Sequence, residues 1–493
     1  MVPDTFAIPL RRLGRFWKIV SMATGPTVHE RYLQQVIEHQ GPLHGFVLAL
    51  PCERSCLPLV CKETAVSQST IRLPRRRFLT TTAQVAGLAV VPHFVPSTAL
   101  GLDGTAPPSE RLVVGGIGVG SRGGYHLSCY LEQPNVRVAA VCDVKTDRRE
   151  RAKKTVDTKY GNSACAMYTD LRDLLARDDI DAVFIATGSN WHATAAILAA
   201  YAGKDVYCEK PCSKNISQSL ILADVFHRTG QVFQAGSQRR NLPHFQFAVE
   251  LARSGKLGKL HTVYAHPAGL TASQSSWPEP MPRPPKEEVD WDLCLGPAAW
   301  RPFNTGCLSG FNFEKGGGMV GGGVVEWGTH TVDICQWALG ADGTAPVEYN
   351  PPQDSQLVAR YANGVKLVMR HHDWLPLGSC PVRFEGDAGW VETGDSGKLA
   401  LSSPELLAGR KVTQEAGFSA TNHIREFLHC VRTRGTPLSN VDAAIHSHIA
   451  CHAANIAIYL DRKLTYDPVK NEFPGDDAAN RLRSEALREP WRV

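Results

Sequence analysis

From residue 111 to 236, short β-rich apolar runs alternate with amphipathic stretches. The runs cover 112–117, 136–141, 182–186, 205–208 and 232–235, and the stretches between them include 144–159, 192–202 and 217–228. Apolar runs without alternation suit strands buried on both faces, and their interleaving with helical periods predicts right-handed βαβ units around a parallel sheet. After 240 the period changes. A helical pattern at 245–254 and a strand pattern at 259–265 lead into a Pro-rich loop at 278–285 and then Trp291-Asp-Leu-Cys-Leu-Gly-Pro297. Runs 357–361 and 365–369 flank Asn363-Gly364, the strongest hairpin signal in the chain. Short strands at 382–385, 390–392 and 398–401 and helices at 422–433 and 443–461 complete the pattern. The fold class predicted is α/β: a doubly wound parallel sheet (a Rossmann domain), then an α+β domain with an open-faced, mostly antiparallel sheet. The domains expected are 110–237 and 238–468, followed by a polar wrapping arm at 469–493.

The first strand runs into Gly118-x-Gly120-x-x-Gly123, with Ser121 and Arg122 inside the turn. Such a turn brings a backbone close to a pyrophosphate at a helix N-terminus. Asp143 ends the next run, 20 residues past Gly123, where a carboxylate can accept both ribose hydroxyls of NAD and repel the 2′-phosphate of NADP. Lys145, Arg148 and Arg149 nearby keep NADP open. A merely tight strand–helix turn is the plainer alternative, but it needs no acid at 143.

Glu209-Lys210-Pro211 falls at the carboxyl end of a parallel run, where open α/β sheets place ligands. A lysine there can steady a developing alkoxide; a solvated lysine at a strand end is the bland alternative. Farther on, Glu326, His330 and Asp333 recur at i, i+4 and i+7 after a glycine-rich turn at 316–323, which predicts one shared helix face. A carboxylate one turn from a histidine would orient the imidazole and raise its pKa, making it a general base, or would orient the substrate. Otherwise the cluster is a helix with a semi-buried, hydrogen-bonded histidine. Thr187, Asn190 and His192 follow another parallel run and are expected beside the nicotinamide ribose. Gln238 and Arg239 are placed to touch the cofactor or to hold the two domains together. His371-His372-Asp373 reads as a strand with its imidazoles on opposite faces, and His446, His448 and His452 share no metal-ligand face, so no metal is expected.

These motifs, from about Arg111 onward, resemble the Gfo/Idh/MocA oxidoreductases, among them glucose–fructose oxidoreductase and inositol dehydrogenase. The resemblance implies bound NAD(P), a sugar or polyol substrate and association through the C-terminal sheet into a homo-oligomer. Its Glu-Lys-Pro motif matches Glu209-Lys210-Pro211, and its Asp-x-x-x-His pair matches Glu326 and His330, with the later aspartate at Asp333. Glutamate at 326 departs from the usual aspartate. Some relatives are NAD-dependent glycosidases, so a dehydrogenase, a redox glycosidase and a non-catalytic carbohydrate-binding module all stay open.

Charge refines the picture at one end. Residues 1–99 carry 11 of the 53 Lys+Arg but only 5 of the 48 Asp+Glu, leaving 42 and 43 in the remainder. That balance excludes a basic face for nucleic acid. Arg75-Arg-Arg-Phe-Leu79, an uncharged stretch and small residues at Ser97 and Ala99 have the layout of a twin-arginine signal over 75–99, too short for a membrane span. A disordered basic linker would share this composition. Residues 1–74 fit neither reading and are expected to be an unstructured extension, with translation starting just before Arg75. Export to the periplasm follows as an expectation. Free NAD is scarce there, so a tightly held cofactor recycled between two substrates is expected. Eleven of the 14 cysteines follow residue 99, scattered through apolar runs as free buried thiols rather than a disulfide framework.

Overall fold

The computed structural model describes residues 110–267, 269–270, 279–308 and 323–492. The extension at 1–74, the twin-arginine stretch at 75–99 and most of the glycine run at 316–323 lie outside the described residues.

The first half alternates as its pattern predicts: β1 (Leu112–Ile117), α1 (Ser121–Leu131), β2 (Val136–Cys142), α2 (Thr146–Tyr160), β3 (Ala166–Tyr168), α3 (Leu171–Leu175), β4 (Ala182–Ile185), α4 (Ser189–Tyr201), β5 (Asp205–Cys208), α5 (Ile216–Thr229) and β6 (Phe233–Ala235). All six strands are parallel in the order β3-β2-β1-β4-β5-β6. That is a doubly wound sheet whose order reverses beside β1 and β4, the place where such folds bind ligands. The short β3 was not legible in sequence; at three residues, Ala166–Tyr168, it is too short to show a period and pairs only as an edge strand.

The second half contains α6 (Pro243–Arg253), β7 (Leu260–Ala265), α7 (Trp291–Leu295), α8 (Gly323–Glu326), α9 (Gly328–Leu339), β8 (Glu348–Tyr349), β9 (Gln356–Arg360), β10 (Lys366–Arg370), β11 (Val382–Gly386), β12 (Gly389–Thr393), β13 (Leu399–Leu401), α10 (Thr421–Thr433), α11 (Val441–Leu460), β14 (Leu464–Thr465) and α12 (Asp477–Arg481). Eight strands form one sheet in the order β13-β12-β11-β7-β10-β9-β8-β14. It is antiparallel except where β7 meets β10. The hairpin at Asn363-Gly364 forms as its sequence predicts, with Val368 opposite Val358. Alternation decides which face is covered: Leu357 and Ala359 of β9 and Val382 and Phe384 of β11 are buried, whereas Val358, Arg360, Arg383 and Glu385 between them stay half-exposed.

One core joins the halves, running from Ile117 and Val183 through Val332 and Phe245 to Leu367 and Phe384. A second lies on the opposite side of the parallel sheet, where α10 packs Ile424, Phe427 and Val431 near Tyr130 and Phe184. The segment 285–308 crosses back over the parallel sheet's ligand end. Thr146 N–H donates to Glu288 O (3.0 Å), Asp290 N–H to Val144 O (3.1 Å) and Trp191 Nε1 to Leu293 O (2.7 Å).

The terminal arm corrects its sequence reading. It is anchored by apolar residues, with Phe473 and Trp491 buried and Trp491 edge-on to Trp191 at 4.7 Å. Arg488 ties it to the carbonyls of Gly296 and Pro297. His371 and His372 sit beyond the end of β10 rather than on a strand. Among the described residues, no group of three or more His, Cys, Asp or Glu is gathered for a metal, and no helix is long and apolar enough to cross a membrane.

Candidate active site

A cleft of about 1110 Å³ opens at the carboxyl ends of β1, β2, β4 and β5 and reaches the second domain. Gly118, Gly120, Ser121 and Arg122 line one end, Asp143 and Arg148 lie beside them, and Lys210, Gln238, Arg239, Glu326, Trp327 and His330 line the other. Gly118 adopts φ +78°, and a Cβ there would meet Thr187 N at 2.6 Å, so only glycine makes this turn. Gly123 does not line the cleft. It lets α1 pack onto the turn, since a Cβ would overlap Gly118 O.

Asp143 is buried and pinned, accepting from the N–H of Val119 (2.9 Å) and of Lys145 (3.0 Å). Burial pushes its carboxyl up, while Arg148 and these donors pull the other way. A carboxylate has about four lone-pair sites, so acceptors remain for two ribose hydroxyls. With the bare glycine turn and the N-terminus of α1 at the same end, these residues fit a dinucleotide.

Along the cleft three cations face three carboxylates, two of them at the far end. Lys210 Nζ donates to Glu326 O (2.9 Å) and Oε2 (3.2 Å). Arg239 binds Asp395 through two hydrogen bonds of 2.8 and 2.7 Å. Arg122 Nε donates to Glu209 Oε1 (3.0 Å), and His126 Nε2 lies 2.6 Å from the same oxygen. Burial alone would push the Glu209 carboxyl up, but Arg122, His126 and Lys210 hold it well below the usual carboxylate range.

Several sequence-derived roles change. Glu326 does not orient His330: the chain breaks at Trp327 between α8 and α9, and the carboxylate turns to Lys210. His330 Nδ1 has no partner among the described residues. Its pKa is not raised but held well below the ordinary histidine value, foremost by burial and then by the Arg239 and Lys210 cations. Asp333 leaves the cleft altogether. It is fully buried against Arg240 (2.7 and 2.9 Å) and Ser447 (3.0 Å), with Asp342 on the same guanidinium. That network is structural.

His192 and Asn190 line the cleft and also brace its wall. His192 sets Nδ1 2.8 Å from Pro211 O, beside the cis Lys210–Pro211 bond, and Asn190 Nδ2 donates to Cys294 O and Leu295 O. Glu209 likewise acts through Arg122. Thr187 lines the cleft, and Gln238 does too, donating to Gly417 O (3.4 Å). Arg239 lines the cleft with its guanidinium held by Asp395; both residues belong to the second domain, so this pair fixes the arginine and does not bridge the domains. Sequence reasoning missed Asp395, Trp327 and Phe418. Asp395 sits in the β12–β13 turn, where an aspartate carries no signal of its own.

Sequence models of one family account for both halves: "Oxidoreductase family, NAD-binding Rossmann fold" over residues 112–237 and "Oxidoreductase family, C-terminal alpha/beta domain" over 272–493. The chain therefore belongs to the Gfo/Idh/MocA family of oxidoreductases, with an NAD-binding Rossmann domain. It is 38% identical over 124 residues to a "Glycosyl hydrolase family 109 protein" of Saccharopolyspora erythraea, covering 24% of this chain and 27% of that protein. It is 30% identical over 155 residues to the uncharacterized oxidoreductase YrbE of Bacillus subtilis, covering 31% and 44%. The aligned stretches thus span less than half of these relatives. A myo-inositol 2-dehydrogenase from Lactobacillus plantarum shares the fold at a TM-score of 0.51 and 18% identity, over 72% of this chain and 100% of that one.

Proposed function

We propose that the protein oxidises or reduces a hydroxyl-bearing carbon of a neutral sugar, polyol or cyclitol. The observation that carries this reading is the convergence of Lys210 from the parallel sheet and His330 from α9 on the cleft that holds the glycine turn and Asp143. NAD, when bound, supplies a two-electron acceptor or donor; Gly118, Gly120, Ser121, Arg122 and Asp143 would hold it. Lys210 hydrogen-bonds the substrate hydroxyl and stabilises the alkoxide as it forms. His330, neutral in its buried position, takes the hydroxyl proton. Glu326 shares the Lys210 ammonium and fixes its direction. Because Lys210 and Arg239 at this end each face a carboxylate, the lining favours an uncharged ligand.

A histidine whose pKa is depressed stays deprotonated as pH falls through the ordinary value of about 6.5. The kcat/KM profile should therefore show no acid limb near that value. A limb there would mean that His330 titrates as a free imidazole.

The direct test loads the protein with NAD and offers sugars, polyols and cyclitols, both free and as glycosides, while following reduced nicotinamide. Reduction by one class is expected; reduction by none would overturn the dehydrogenase reading. The relatives named glycosyl hydrolase family 109 favour a second reading, in which a glycoside is cleaved with transient redox chemistry. Release of p-nitrophenol from nitrophenyl glycosides without net reduction of the cofactor would select it. The arginine pair at 75–76 supports action outside the cytoplasm, and the half-exposed outer face of the eight-stranded sheet supports self-association.

A further inference from the structure

The mouth of the cleft carries an aromatic side chain that the chemistry above does not use. Phe418 lines the cleft, yet its side chain is 66% exposed. A phenyl ring left in water at the rim of a cleft offers an apolar face that a bound ring can cover. This one cannot retreat easily, because its loop is pinned on both sides. Gly417 N–H donates to Asp395 O (3.1 Å), Gly417 O accepts from Gln238, and Ala420 N–H donates to Tyr125 OH (3.1 Å). A Cβ at 417 would overlap the Asp395 carboxylate, so the loop is seated as tightly as its backbone allows. The half-buried indole of Trp327, three residues before His330, lines the same cleft.

We propose that Phe418, with Trp327, forms a subsite for a second ring, an aglycone or further sugar joined to the reacting one. The substrate would then be a glycoside rather than a free monosaccharide. Flat rings with an apolar face stack on phenyl and indole surfaces, and they need no charged partner. The paired cations deeper in the cleft leave the hydroxyl-bearing ring to Lys210 and His330. This inference rests on the sugar reading above and deepens it.

The test measures binding as well as turnover. NAD-loaded wild type, Phe418→Ala and Phe418→Trp are titrated with glucose, galactose and mannose and with their p-nitrophenyl glycosides, using saturation-transfer NMR of the aryl protons and calorimetry. Aryl glycosides should bind the wild type at least tenfold tighter than the free sugars. Phe418→Ala should remove that preference, change free-sugar affinity less than twofold and leave NAD occupancy intact, while Phe418→Trp restores the preference. Aryl glycosides binding no tighter than free sugars, binding by neither included, would overturn the subsite, as would equal weakening of both in Phe418→Ala. An aryl preference lost in Phe418→Ala, with no ligand ever reducing the nicotinamide, would keep the subsite and sink the dehydrogenase reading.

Discussion

Lys210→Met is expected to lower turnover by at least about a hundredfold while the protein keeps its NAD. Removing one preorganised donor at a site of developing oxyanion charge commonly costs about 10²–10³ in rate, or roughly 3–4 kcal/mol. Lys210 is such a donor. Its ammonium is held at the carboxyl end of β5 by Glu326, in a cleft lined on the other side by His330. The residues that would hold the nucleotide lie at the other end of the cleft, so methionine should spare them. Steady-state rates with the best substrate of the panel, together with mass spectrometry of cofactor released on denaturation, check both halves. A near-wild-type rate would remove Lys210 from the chemistry. Loss of NAD with the rate would instead make its role structural.

The second large effect is on stability. Asp333→Ala should destabilise the fold by about 3 kcal/mol, the low end for breaking a buried ion pair, because Arg240 loses its fully buried carboxylate and keeps only Asp342. Arg240 is 1% exposed, and its neighbouring Asp342 lies nearer the surface. The same variant loses the Ser447 hydrogen bond that ties α9 to α11. Urea denaturation should show the lowered midpoint, and the folded fraction should turn over at close to the wild-type rate. A stable but inactive variant would return Asp333 to the catalytic group that its sequence spacing suggests.

The nucleotide half was largely legible in sequence because local rules govern it. The parallel runs, the turn at Gly118 and the carboxylate at Asp143 follow from strand burial and from the backbone geometry a pyrophosphate needs. The other half was legible in its elements but not in its side-chain partners. Helical spacing placed Glu326, His330 and Asp333 on one face, yet a single non-helical residue, Trp327, separates the first from the others. Glu326 then found Lys210, 116 residues away, and Asp333 found Arg240, 93 residues away. Pairings of that range depend on how two sheets are docked, which no local period encodes. Asn190 and His192 illustrate the same limit. Their position after a parallel strand put them on the cleft, but the partners of their polar atoms, the 291–295 helix and the Pro211 turn, carried no signal in the sequence.

A nucleotide-binding sheet and a substrate-binding sheet are often separate bodies that rock about a hinge. Here the apolar interior is shared: Ile117 beneath the glycine turn belongs to the same buried cluster as Leu367 and Phe384 in the far sheet. Rocking would tear that interior open and wet it. The 285–308 crossing is held to the parallel sheet chiefly by hydrogen bonds, so loosening it costs less than parting the two sheets.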